Sequence, residues 1–198
     1  LAHSVPDILK VQQILSSIID EDERAGAVIR GIREMCKKEP VKSESVDIDI
    51  VVRDIVTLLH VRNSLKAVDL TVDIEPGMKV VTGSKVQLQQ VVLNLITNAL
   101  EALSEVPVKK MNVRVDSCRA GVISVTVLNS GPQIATERLE QLFKPFHTTK
   151  EEGLGMGLFI CRSIIEAHGG HLTAYNVPGE GVNFCFSVPS AKTPGWDK

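Results

Sequence analysis

Apolar positions along the chain follow two periods, and the expected element changes where the period changes. In "PDILKVQQILSSIIDEDERAGAVIRGIREMCKK", Ile8, Val11, Ile14 or Leu15, Ile18, Ala25, Val28 or Ile29, and Ile32 recur at steps of three and four, the spacing of one face of an α-helix. Pro6 suits the first helical position. A helix of this length has no partner for its apolar stripe within itself, so it is expected to lie against another helix, from this chain or a second copy. "EPVKSES" breaks the period with Pro40 and polar residues and predicts a linker over residues 40–47. A compact domain is expected over 48–190, followed by a short tail over 191–198.

Within that domain "DIDIVVRDIVTLLHVRNSLKA" predicts a helix and "VDLTVDIEPG" a strand closed by a Pro-Gly turn. "SKVQLQQVVLNLITNALEAL" predicts a second helix, with Ser84 as N-cap and Leu88, Val91, Val92, Leu95, Ile96, Ala99 and Leu103 on its buried face. "KKMNVRVDSC" and "GVISVTVLNSG" alternate with period two and predict a hairpin. A helix from about Leu158 to His168 follows, then the strands "HLTAYNV" and "VNFCFSVP" around another Pro-Gly turn. Helices grouped with antiparallel strand pairs predict an α+β fold, a two-layer α/β sandwich with helices on one face of a mixed sheet.

Composition narrows the function classes. At 198 residues, 43% hydrophobic and 23% charged, the chain reads as globular and water-soluble. No apolar run approaches the about 18 residues that a membrane-spanning helix needs, and no basic-then-apolar leader stands at the start. A net charge of −2 without a basic block argues against nucleic acid as a partner. Cys36, Cys118, Cys161 and Cys185 are scattered without a CxxC pair, the pattern of reduced thiols in a cytoplasmic protein.

Three polar features interrupt the apolar pattern. Gln90, Asn94 and Asn98 stand four residues apart, forming a polar line down one side of an otherwise apolar helix. Asparagine competes with the helix backbone for hydrogen bonds, so two of them at i and i+4 call for a reason beyond a solvated face. Their carbonyl oxygens are hard ligands suited to a magnesium ion that also carries phosphate oxygens. The second feature is "VLNSGPQI", where a strand ends in Asn129-Ser130-Gly131-Pro132, either an ordinary turn or a ligand-bearing loop. The third is "HTTKEEGLGMGLF", in which Gly153, Gly155 and Gly157 alternate and lead into a helix. Glycines allow close approach of the backbone to an anion, and a helix N-terminus favours negative charge. Thr148, Thr149 and Lys150 just before them add two hydroxyls and an ammonium. The run is neither a Walker loop nor a dinucleotide fingerprint; it reads as a mobile glycine lid over a magnesium-nucleotide site.

In that order, "QLQQVVLNLITNALEAL", "NSGPQI", "LFKPFHTTK" and "GLGMGL" resemble the four boxes of the catalytic and ATP-binding domain of bacterial sensor histidine kinases, within the GHKL superfamily that also holds gyrase and MutL. The resemblance spans about residues 45–189, and "DEDERAGAVIRGIREM" resembles the second helix of the dimerisation and phosphotransfer hairpin. It implies ATP and Mg2+ as cofactors, a response-regulator receiver domain as partner and a homodimer formed through the hairpin helices. By the same resemblance Asn98 ligates magnesium and Asn94 assists at the phosphates. Thr149, Lys150, Gly155 and Gly157 line the triphosphate, and Phe143 and Phe146 anchor the lid. Asn129, Gly131, Ile134, Thr148, Gly153, Leu154, Met156 and Leu158 complete the implied ATP-binding set.

Two departures accompany it. Where the family pattern has Asp and Gly, this chain has Asn129 and Gln133. An amide can still accept a hydrogen bond from adenine but without charge assistance, and the Gln133 side chain is expected to narrow the base pocket. The acceptor histidine is also missing: His3 has Ser4 after it, and the chain is expected to begin after the first hairpin helix. His168 is expected to interact with the end of its helix. Three function classes stand at this point: a kinase module; a degenerate module that acts through dimerisation or response-regulator binding; and a gyrase-type ATPase, which the hairpin-like helix and the compact glycine lid weigh against.

Overall fold

A computed structural model describes residues 44–62, 64–77, 79–104, 106–118, 121–146 and 155–191. The expected hairpin helix over 1–39, Thr148, Thr149, Lys150, Gly153 and Leu154 lie outside the described residues.

Two short strands launch the first two helices. β1 (Glu44–Asp47) and β3 (Val80–Gly83) pair antiparallel, Glu44 opposite Gly83 and Asp47 opposite Val80. β1 occupies the end of the stretch expected to be linker. Asp47 then caps α1 (Ile48–Val61), its carboxylate accepting from the Asp49 N–H at 2.9 Å, and Ser84 caps α2 (Lys85–Ala102), its hydroxyl accepting from the Gln87 N–H at 3.4 Å. A cap satisfies one of the N–H groups that a helix start leaves without a partner.

α1 stops at Val61, short of the helix predicted through Ala67. Arg62 and Ser64 donate back to the carbonyls of Leu58 and Leu59, and the turn still buries Leu65. That burial maintained the apolar period past the end of the helix. Where α1 begins, the fully buried Lys79 donates to the carbonyls of Glu75 and Gly77 and lies 3.7 Å from Asp49. Burial raises the Asp49 pKa above 3.8 despite the Lys79 charge.

The main sheet has five strands in the order β2-β4-β5-β7-β6. β2 (Asp69–Ile74) runs parallel to β4 (Lys110–Cys118), and β4, β5 (Val122–Asn129), β7 (Gly181–Pro189) and β6 (His171–Val177) pair antiparallel. Along β4, Met111, Val113 and Val115 are buried while Arg114 is exposed, the alternation of a sheet covered on one face. The cover is α1, α2 and α4 (Gly157–Ala167). All seven residues assigned to the buried face of α2 have no exposed surface. The fold is a two-layer α/β sandwich with a mixed sheet. A four-residue helix, α3 (Thr136–Leu139), and the strands β1 and β3 were not predicted.

α2 and α4, the helices that flank the polar features, are joined by one histidine. His168 caps the C-terminus of α4; its Nδ1–H donates to the Ile164 carbonyl at 2.7 Å and its Nε2 accepts from the Ser84 N–H at 3.1 Å. The ring therefore secures the end of α4 to the start of α2. It lies against Gly83, where a Cβ would stand 2.2 Å from Cδ2. Gly83→Ala is expected to push the ring off Ser84 and cost about 2 kcal/mol, read as a lowered thermal midpoint. An unchanged midpoint would show that the ring gives way freely.

Candidate functional site

Asn94, the first of the paired asparagines of α2, faces the start of α4. Asn94 and Asn98 are half-buried, and the Asn94 Nδ2 donates to the carbonyl of Gly157 at 3.4 Å. Gly157 is the first residue of α4, and a Cβ there would come within 3.3 Å of Asn94 Oδ1. Gly155 has φ +64°, a left-handed conformation that side chains resist. The two described glycines of the run therefore do different things: Gly155 turns the chain, and Gly157 lets the helix approach Asn94. Met156 is buried and Leu158 packs against the core, fixing where α4 begins.

Among the described residues no side chain caps that beginning. Met156 makes no side-chain hydrogen bond to the first turn, and the first turn holds no acidic residue. N–H groups left this way at a helix start, with the positive end of its dipole, suit an anion. Among the described residues no cluster of His, Cys, Asp or Glu could hold a metal ion. A magnesium ion that carries phosphate oxygens and waters needs only one or two protein ligands, so a neutral Asn carbonyl beside a phosphate-binding helix start fits it. The residues present therefore fit a magnesium-bound polyphosphate.

At the far end of the site β5 finishes on Asn129, which is 1% exposed. Its Oδ1 accepts from the Gly131 N–H at 3.0 Å, and its Nδ2 donates to the Val182 carbonyl on β7 at 3.2 Å. Gly131 allows this turn, since a Cβ would lie 2.6 Å from that Oδ1 and 3.0 Å from the Ala102 Cβ at the end of α2. Asn129 and Gly131 thus bring the β5 turn against the C-terminal end of the asparagine helix.

Ile134 is held by a residue that the sequence did not single out. Asn176 on β6 clamps it at both backbone groups, accepting from the Ile134 N–H at 2.9 Å and donating to the Ile134 carbonyl at 2.7 Å. A lone Asn in a strand gives no warning of such a clamp. Asn176→Ala is expected to cost about 2 kcal/mol and to speed amide hydrogen exchange across residues 131–135. Unchanged exchange there would assign the loop's order to other contacts.

Two expectations are corrected. Gln133 is exposed and its Nε2 reaches the Val177 carbonyl at 3.4 Å, so its side chain follows the sheet edge instead of narrowing a pocket. Phe146 is 73% exposed with φ +62°, so it is not buried against the domain. Phe143 is the one of the pair that packs on the core.

Comparison with known proteins shows the family and the fold. Residues 83–192 match the family model described as histidine kinase-, DNA gyrase B- and HSP90-like ATPase. The chain is 32% identical over 192 residues to the sensor histidine kinase TmoS of Ectopseudomonas mendocina, an alignment covering 96% of this chain and 20% of TmoS. It resembles the solved catalytic domain of histidine kinase ThkA, nucleotide-free, at 30% identity and TM-score 0.68, covering 76% of this chain and 99% of that one. It also resembles ThkA solved in complex with the response regulator protein TrrA, at 28% identity and TM-score 0.76, covering 96% of this chain and 53% of that one. Against the curated relatives TmoS and the sensor histidine kinase ZraS of Klebsiella oxytoca, the chain spans 20% and 40% of the length. With its fold, its asparagine helix and its glycine-led α4, the chain belongs to the histidine kinase-, DNA gyrase B- and HSP90-like ATPase family, as a catalytic ATP-binding domain of the bacterial sensor histidine kinase type.

Proposed function

We propose that this chain is the kinase module of a two-component sensor, which binds Mg-ATP between α2 and α4 and transfers the γ-phosphoryl to a histidine on a hairpin helix outside this chain, for relay to a response-regulator aspartate. The observation that carries the reading is the Asn94–Gly157 contact at 3.4 Å, which sets the asparagine line against a helix start that no described side chain caps. Asn98 would hold magnesium through its side-chain oxygen. The first-turn amides of α4, with Thr149 and Lys150, would neutralise the phosphates. Phosphoryl transfer depends mainly on such positioning and charge stabilisation.

Residues 1–39 would supply the second hairpin helix, through which two copies pair, and 48–190 the catalytic domain. The solved complex of the relative ThkA with TrrA supports a receiver domain as the partner downstream. A second reading has one observation in its favour: both polar atoms of the Asn129 amide are occupied by the fold, as a module kept for protein contacts alone would allow.

The two readings separate in one assay. The chain is mixed with γ-labelled ATP, magnesium and a purified hairpin bearing an acceptor histidine, and acid-labile label on the hairpin is followed. Magnesium-dependent labelling is expected; labelling that never exceeds that of the hairpin alone would favour the non-catalytic reading.

A further inference from the structure

α2 and α4 are tied to each other at both ends, and one of the two ties can take up a proton. At the start of α4, Asn94 of α2 donates to the Gly157 carbonyl at 3.4 Å. At its close, His168 Nε2 accepts from the Ser84 N–H at the head of α2 at 3.1 Å, and Nδ1 lies 2.7 Å from the Ile164 carbonyl. Neither backbone partner can change role, since an amide N–H donates and a carbonyl accepts. Both contacts are therefore satisfied by one species, the neutral imidazole with its proton on Nδ1. The half-buried ring has little room to turn away: a Cβ on Gly83 would stand 2.2 Å from Cδ2 and 2.4 Å from Nε2.

A proton added at Nε2 turns the acceptor into a second donor and sets it against the Ser84 N–H. The cation keeps its bond to Ile164, where the C-terminal end of α4 favours positive charge, and is opposed at Ser84, where the N-terminal end of α2 disfavours it. Protonation thus leaves the ring on α4 and parts it from α2. The described charged groups on the surrounding elements are paired with one another or exposed. Arg162 and Glu166 of α4 pair at 2.8 Å, Lys85 of α2 pairs with Asp54 at 2.9 Å, Glu44 of β1 accepts from the Lys85 N–H at 3.3 Å, and His171 stands exposed at the start of β6. β3 and β7 carry no charged residue.

We propose that His168 is a positioning residue for the nucleotide site, which holds α4 at its angle to α2 only while the imidazole is neutral, so that acidification weakens nucleotide binding. When Ser84 is released, α4 keeps the Gly157 contact but loses its far tie, and its first-turn amides are held less firmly in the direction of the phosphates. The inference rests on the nucleotide reading above and adds to it a dependence on pH.

The test compares the unaltered chain with His168→Gln, whose side-chain oxygen accepts from an N–H without titrating. Each is titrated by calorimetry with a non-hydrolysable ATP analogue and magnesium at steps from about pH 8 to about pH 5.5, the interval in which imidazoles take up a proton. Protonation of the analogue is common to both chains and cancels in the comparison. Over that interval the unaltered chain is expected to lose about tenfold more affinity than the variant. Parallel losses would overturn the inference and leave the nucleotide reading intact, whereas no binding by the unaltered chain at any pH would overturn both. A second measurement needs no variant: in the nitrogen NMR spectrum of the unaltered chain near about pH 8, where imidazole is neutral, the ring of His168 should carry its proton on Nδ1, and the Ser84 amide resonance should move as that ring titrates. A proton on Nε2, or a Ser84 resonance that stays in place, would overturn the inference.

Discussion

Gly181→Ala is expected to destabilise the domain by roughly 3 kcal/mol, a fall of about 10 °C in the thermal midpoint. Two independent faults combine at this position. Gly181 has φ +123°, where an L side chain is strained, and a Cβ there would lie 2.0 Å from the backbone carbonyl oxygen of Asn129 and 3.0 Å from the Ser130 Cα. The obstacles are main-chain atoms of the central strand β5 and the turn after it, so no rotamer change relieves them. The same crowding would part β7 from Asn129 where Val182 receives the amide hydrogen bond, so nucleotide binding should weaken even at temperatures where the variant remains folded. A midpoint within about 1 °C of the parent, where roughly 10 °C is expected, would mean that the β5–β7 crossing is looser than these distances imply.

Asn98→Ala is expected to weaken magnesium-nucleotide binding by between about tenfold and a hundredfold, the effect of removing one ligand to a charged group. The Asn98 side chain is half-buried at the polar edge of α2, and the apolar face of the helix, Leu88 to Leu103, is untouched by the change. Titration of the variant with and without magnesium separates the role of the ion from that of the fold. If Asn98 is a magnesium ligand, the variant binds equally weakly in both; a loss of affinity that is the same in magnesium and in chelator would assign Asn98 to the fold.

What the sequence disclosed about this molecule follows from the range of the interactions involved. α2 was legible because its signals are local: a serine cap, an apolar face at helical spacing and asparagines four apart. The β4–β5 and β6–β7 pairs were legible from alternation and from the turns between them. β1 and β3 were not, because each has four residues, too few to establish alternation, and they pair across about 35 positions of sequence. Separations of 42 and 84 positions hid the Asn176 clamp on Ile134 and the reach of His168 to Ser84, since neither residue stands in a pattern that marks it. Gln133 was misjudged because a motif position gives a side chain's address but not its direction, and here the Val177 carbonyl draws it along the sheet edge. The identity of Asn129 was plain in the sequence, whereas the hydrogen bonds that orient its amide required β7 to be placed beside it.

The measurement that tests the central claim most directly is calorimetric titration of this chain with a non-hydrolysable ATP analogue, in magnesium and in chelator, beside Asn98→Ala. The account predicts saturable one-to-one binding that depends on magnesium and weakens in the variant. No binding heat in magnesium, from protein whose folding has been verified by its thermal transition, would contradict it and leave the module's role to its protein contacts.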